Sequence, residues 1–296
     1  MLNLYESCSL CPRECKVNRN ENKGYCGEGA YLNLTRAALH EWEEPCISGT
    51  NGSGTVFFRG CSLKCIYCQN YAIAHNEGGK VVSIDKFAKA CIALQQKGAH
   101  NINLVTPTHY VPHVIEGIKE AKEKGLTIPV VYNTSGYEKA ETVALLKDTV
   151  DIFLTDFKYI KPETAKKYSN AENYVSFAKA ALGEMVKIAP SPTFESSLMT
   201  KGVIVRVLLL PDHLIETKMI VKYLFETYGD NIYISLMNQY TPIKKHEYEN
   251  LNRTVTDYEY KSLVEYAMHL GIKNAFIQQG GTAKESFIPE FDLSGI

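Results

Sequence analysis

The chain is predicted to be an α/β protein: a full or partial parallel (β/α) barrel preceded by a short cysteine-rich extension. Three observations lead there. Short, nearly all-apolar runs alternate with segments of helical period, the pattern of a parallel sheet with crossover helices. With 296 residues, 45% of them hydrophobic, the chain can bury one large core. Eight of its 9 cysteines lie before residue 70, which divides the chain into an N-terminal extension (1–50) and a barrel domain (51–296).

Taken in order, apolar runs predict strands at 55–58, 102–105, 130–132, 152–155, 203–210, 232–236 and 275–277. Between the first two, Ile84, Phe87, Ala88, Cys91 and Ile92 keep helical spacing behind the cap candidate Ser83, and Gly98 marks the stop. Val114, Ile115, Ile118 and Ala121 form a second helical stripe closed by Gly125. Thr256 and Glu259 have the spacing of a capping box that opens a helix running to Leu270. The segment 189–202, "APSPTFESSLMTKG", is the longest irregular stretch, either a binding loop or an ordered connection.

Thirty-two basic residues balance 33 acidic ones for a net charge of −1, so no nucleic-acid footprint shows. No apolar run reaches the roughly 20 residues of a membrane helix, and no signal peptide is recognisable; a cytoplasmic protein with no membrane partner is expected. Cytosolic thiols stay reduced, so nine cysteines point to metal or redox chemistry rather than disulfides.

Polar residues gather just beyond the predicted strands, the rim where barrels of this kind keep their reacting groups. Strand one leads to Arg59 and to Cys61, Cys65 and Cys68. The second leads to Thr106, Thr108 and His109, and the third to Asn133 and Ser135. Asp156 and Lys158 follow the fourth, Arg206 lies on the fifth, and Asn238, Gln239 and Tyr240 follow the sixth. Asp156 and Lys158, two apart on extended chain, point the same way.

The stretch "FFRGCSLKCIYCQN" sets Cys61, Cys65 and Cys68 at the spacing C-x3-C-x2-C. A structural zinc site normally closes with four protein ligands. A cube of four irons and four sulfides held by three cysteines leaves one iron open to an outside ligand. With Tyr67 before the last cysteine, on a loop after the first strand, this motif resembles the signature of the radical SAM superfamily. The similarity extends through "CSLCPRECKVNR", "KGYCG", "HEWEEPCISGTNGSGTVFFRGCSLKCIYCQN", "NINLVTPTHY", "PVVYNTSGYE" and "DIFLTDFKY". These segments look like a branch of iron–sulfur proteins related to pyruvate formate-lyase activating enzyme.

That resemblance implies a [4Fe–4S] cluster on Cys61, Cys65 and Cys68, with S-adenosylmethionine (SAM) on the open iron. Reductive cleavage of SAM would yield a 5′-deoxyadenosyl radical that abstracts hydrogen from a substrate. The resemblance further implies Tyr67 against the adenine, Asp156 and Lys158 at the methionine part, and Arg206 near the cofactor. Asn133 and Ser135 are implied at the ribose or carboxylate, with Asn238 on the same rim. Activating enzymes usually carry Gly-Gly-Glu after the second strand; "VTPTHY" stands there instead, which makes Thr106 and Thr108 the candidates for that contact. The substrate would be a glycine of a partner glycyl-radical enzyme, or another peptide or small molecule, and the reductant flavodoxin or ferredoxin. A metal-binding or electron-transfer iron–sulfur protein without SAM chemistry is the reading from another class.

Cys8, Cys11, Cys15 and Cys26, spaced C-x2-C-x3-C-x10-C, can close a zinc site or hold an auxiliary iron–sulfur cluster, with Pro12, Gly24 and Gly27 as turn residues. Cys46 is open between ligand, reactive thiol and buried residue, while Cys91 lies on a helical apolar stripe and reads as core. His40, Glu41, Glu43 and Glu44 read either as a solvated face or as paired carboxylates for proton transfer or a cationic substrate. Position puts His109 in the site and His113 at the start of a helix.

Overall fold

A computed structural model describes residues 1–278 and 289–296; the remainder of the barrel domain, 279–288, lies outside the described residues. The chain first lays down β1 (Leu32–His40), α1 (Pro45–Ser48), β2 (Ser53–Phe58), α2 (Tyr71–Ala74), β3 (Lys80–Val82), α3 (Ile84–Gln96) and β4 (Ile102–Val105). There follow α4 (Val111–Glu123), β5 (Val130–Thr134), α5 (Ala140–Ala144), β6 (Ile152–Asp156), α6 (Pro162–Ser169) and α7 (Tyr174–Ile188). The last part contains β7 (Thr193–Glu195), β8 (Leu198–Leu208), α8 (Leu214–Tyr228), β9 (Tyr233–Met237), α9 (Asp257–His269) and β10 (Ala275–Ile277).

Each of the seven predicted apolar runs forms a strand. They pair in parallel and in chain order as β2-β4-β5-β6-β8-β9-β10, so each crossover moves one place along the sheet. Helices α3, α4, α7 and α8 bury their apolar stripes against the sheet's outer face. Local signals explain the helix ends. The Ser83 hydroxyl accepts the Lys86 amide and caps α3, and Gly98 leaves it at φ +88, a left-handed turn that costs glycine little. At α9 both bonds of the Thr256–Glu259 capping box form.

Two features go beyond the sequence reading. β1 pairs antiparallel with β2, His40 opposite Ser53, and with β3 on its other side. The boundary at 50/51 therefore falls between two paired strands of one sheet. The stretch 189–202 is not wholly irregular: β7 and the start of β8 form a hairpin, Glu195 opposite Leu198, turned by Ser196 at φ +57. β8 thus begins five residues before the run read from its apolar residues, because its first turn of pairing is with exposed β7 rather than with the core.

Candidate active site

On the parallel strands, alternate side chains face inward, and the inward positions change character along the strand. Val131, Ile152, Leu154 and Ile204 pack with Cys46 and Ile47 of α1 and with Met199 to form an apolar floor. Two residues further on, on the same face, stand Asn133, Asp156 and Arg206; the next step brings Ser135 and Lys158. These line a cavity of about 460 Å³ together with Phe57, Val105, Ser235, Met237 and Gln239.

The loop after β2 supplies the other wall. Gly60, at φ +85, turns the chain out of the strand, and the Lys64 backbone at φ +52 bends the loop back. Cys61, Cys65 and Cys68 all line the cavity, and no fourth cysteine does among the described residues. The Leu63 amide donates to Cys61 Sγ at 3.4 Å. Burial, reinforced by Cys65, pushes the Cys61 and Cys68 thiols up, so as free groups they resist ionisation. An iron centre reverses that preference by taking the thiolate. Three soft ligands on one short loop, all facing one cavity, fit a cluster with one open iron. Tyr67 is buried in a nest of edge-on rings, 6.4 Å from Tyr159, 6.0 Å from Tyr168 and 6.2 Å from Tyr240.

Arg206 is the hub of the opposite wall. Its Nε donates to Asp156 Oδ1 at 2.8 Å, Nη1 to Glu43 Oε2 at 3.3 Å and Nη2 to Asn133 Oδ1 at 2.5 Å. The second Asp156 oxygen takes Lys158 Nζ at 2.6 Å. Burial alone would favour the neutral acid, but Arg206 and Lys158 outweigh it and hold the Asp156 carboxyl below its ordinary value. Burial likewise opposes the charge on Lys158, and Asp156 with Cys65 more than restores it. Lys158 therefore stands as a fixed ammonium between the acid and the thiols.

The predicted site residues divide. Cys61, Cys65, Cys68, Tyr67, Thr106, Asn133, Ser135, Asp156, Lys158 and Arg206 are brought to one cavity. Thr106 has φ +61, a left-handed conformation costly for a β-branched residue. That turn ends the alternation of β4, and the short 3-10 helix Thr108–Tyr110 carries the next side chains away. Thr108 instead donates to Glu138 Oε1 at 2.5 Å, outside the cavity lining. His109 is also outside it; its Nε2 lies 2.7 Å from the Arg59 carbonyl oxygen, and burial drops its pKa to about 3. His113 sits in the first turn of α4, its Nδ1 2.6 Å from the Tyr5 hydroxyl. Asn238 is not in the lining, although its neighbours Met237 and Gln239 are.

Glu43 and Glu44 correct the solvated-face reading of the acidic run. Both turn inward between β1 and α1 and line the cavity together with His40 and the half-open Trp42, while Glu41 stays exposed outside it. Glu43 Oε1 accepts from Asn103 Nδ2 at 3.0 Å as well as facing Arg206. Glu44 Oε2 is buried with no hydrogen-bond partner among the described residues. Burial raises both carboxyls despite Arg206. The signal available in sequence was Pro45, which marks a helix start and holds Glu44 before it in extended backbone, ψ 145. Cys91 is core, as its stripe indicates, and Cys46 is buried in the floor.

Among relatives, an uncharacterized protein of Methanocaldococcus jannaschii is 31% identical over 280 residues, 90% of this chain and 75% of that one. A pyruvate formate-lyase-activating enzyme of Clostridium pasteurianum is 26% identical over 125 residues, covering 40% of this chain and 51% of the relative. In fold, the chain resembles HydG, a maturase of the [FeFe]-hydrogenase, with TM-score 0.52 at 15% identity over 77% of this chain; the match spans about half (52%) of the maturase. The radical SAM superfamily model matches residues 55–193, from β2 with its three-cysteine loop through β6 with Asp156. The chain that folds these strands around that loop belongs to the radical SAM superfamily, whose members use a [4Fe–4S] cluster and SAM.

Proposed function

We propose that this protein is a SAM-cleaving enzyme that abstracts hydrogen from a glycine of a partner protein, as an activase of a glycyl-radical enzyme. The observation that carries the SAM part is the convergence of Cys61, Cys65 and Cys68 with Asp156, Lys158 and Arg206 on one cavity. When bound, the cluster supplies the electron that splits SAM into methionine and a 5′-deoxyadenosyl radical.

The chain's own residues bind and orient. Cys61, Cys65 and Cys68 would hold the cluster. Lys158 and Arg206, fixed by Asp156, offer donors to a carboxylate, while Asn133, Ser135 and Thr106 offer polar groups along the same wall. Tyr67, closed in by three other tyrosines, gives an apolar ring face at the loop's end and keeps water from the thiols. Glu43 and Glu44 add carboxyl oxygens to the wall, acceptors suited to a ligand with a cationic or hydrogen-bonding group.

The activating-enzyme relatives support the glycine substrate, and a flavodoxin or ferredoxin of the cytoplasm would be the reductant. Anaerobic reconstitution, addition of dithionite and SAM, and quantification of 5′-deoxyadenosine test the core of the proposal. Wild type should form the nucleoside and Cys65→Ala should not. Equal yields from the two, or none from either, would sink it. Radical transfer to a glycine is then read by electron paramagnetic resonance with a glycyl-radical enzyme; SAM cleavage without a protein radical would point to a peptide or small-molecule substrate instead.

A further inference from the structure

We propose that Cys8, Cys11, Cys15 and Cys26 hold a second iron–sulfur cluster, with the buried guanidinium of Arg19 as its counter-charge. The chain folds the thiols together: the Lys16 amide donates to the Cys8 carbonyl oxygen at 2.9 Å and the Glu14 amide to the Cys11 carbonyl oxygen at 3.0 Å. A side chain begun at Gly24 would meet only two heavy atoms within 4 Å, Cys26 Sγ at 3.6 Å and Cys15 Sγ at 3.7 Å. Gly24 thus opens a cradle between the sulfurs. The Tyr25 amide donates to Cys15 Sγ at 3.2 Å, the kind of N–H contact that steadies a metal-bound thiolate.

Arg19 carries the argument on charge. It is 1% exposed, it always bears its proton, and it forms no ion pair with a carboxylate among the described residues. Its donors go to the carbonyls of Glu28, Gly29 and His109, and Nη1 lies 3.9 Å from Cys8 Sγ. The guanidinium also lies over the Tyr5 ring, 4.5 Å from its centroid. A buried cation with no carboxylate needs an anion, and four metal-bound thiolates provide one.

Adjacency to the three-cysteine loop favours a cluster, which can pass an electron to a neighbouring centre, over a single zinc ion, which has no redox chemistry. The two thiol sets adjoin: Arg13, between Cys11 and Cys15, donates to the Ser62 carbonyl at 2.8 Å and the Leu63 carbonyl at 3.4 Å, inside the three-cysteine loop.

The test removes the first site and looks for the second. A variant carrying Cys61→Ala, Cys65→Ala and Cys68→Ala, reconstituted anaerobically, should keep about four irons and about four sulfides per chain with sulfide-to-iron charge-transfer absorption. Gly24→Val in the otherwise native chain should lower bound iron about twofold from about eight while SAM cleavage persists; circular dichroism checks that it folds. The proposal is overturned if the triple variant binds no iron, if the four thiols take up zinc in its place, or if Gly24→Val retains all its iron. Because the readout is metal content with the first cluster deleted, it stands or fails apart from the SAM-cleaving reading.

Discussion

Glu138→Gln should change how stability depends on pH, and the size of the change follows from the burial of the group. Glu138 is fully buried beneath the end of β5, where Thr108, Thr134 and Tyr132 donate hydroxyl hydrogen bonds to it. Burial pushes its pKa up from 4.5 to about 7, with the three hydroxyls holding it from going further. The folded state therefore keeps a proton that the unfolded chain releases from about pH 4.5 upward. Stability from this group is fully present below that pH and is lost as pH rises to about 7, a loss of about 3 kcal/mol. Glutamine keeps the shape and has no proton to lose. Urea unfolding of apo protein under anaerobic, reducing conditions, at intervals from pH 4.5 to 8, should show wild type losing about 3 kcal/mol relative to Glu138→Gln across that window. Parallel curves would show that Glu138 is ionised throughout and that burial does not govern it.

Three further outcomes are expected. Arg206→Lys keeps the charge but cannot fork to Asp156, Asn133 and Glu43 together, so SAM should bind about 10-fold more weakly by equilibrium dialysis, and unchanged affinity would remove Arg206 from the site. Thr106→Gly relieves a left-handed penalty of about 1–2 kcal/mol against about 0.5–1 kcal/mol of added chain freedom; its unfolding midpoint should stay level or rise, and a fall would contradict the strain. Tyr67→Ala empties the tyrosine nest and should cost about 3–5 kcal/mol in chemical denaturation, whereas Tyr67→Phe should preserve most of that packing.

The sequence was most readable where local chemistry and global fold agree. Seven apolar runs became seven parallel strands because burial on both faces leaves no room for polar alternation except at the rim. Asp156 and Lys158 were legible because they continue the inward parity of β6. Thr108 and His109 were not, since one left-handed residue, Thr106, breaks the parity just before them. β1 escaped notice because its partner is antiparallel and its far end is half exposed, so Arg36 and His40 dilute the apolar pattern. Glu43 and Glu44 look like surface residues by composition, and only the inward turn before Pro45 brings them to the cavity.

Arg13 has a consequence beyond its contacts. Besides Ser62 and Leu63, its guanidinium donates to the carbonyls of Ser169 and Asn170 at the end of α6. The loop that bears Cys61 and Cys65 has no strand or helix of its own, so this one side chain acts as a rivet through three separate pieces of chain. A loop fastened in that way can hold Cys61 and Cys65 in place without stiffening the cavity mouth around them. Loosening the rivet would be felt as misaligned sulfurs long before it was felt as an unfolded protein.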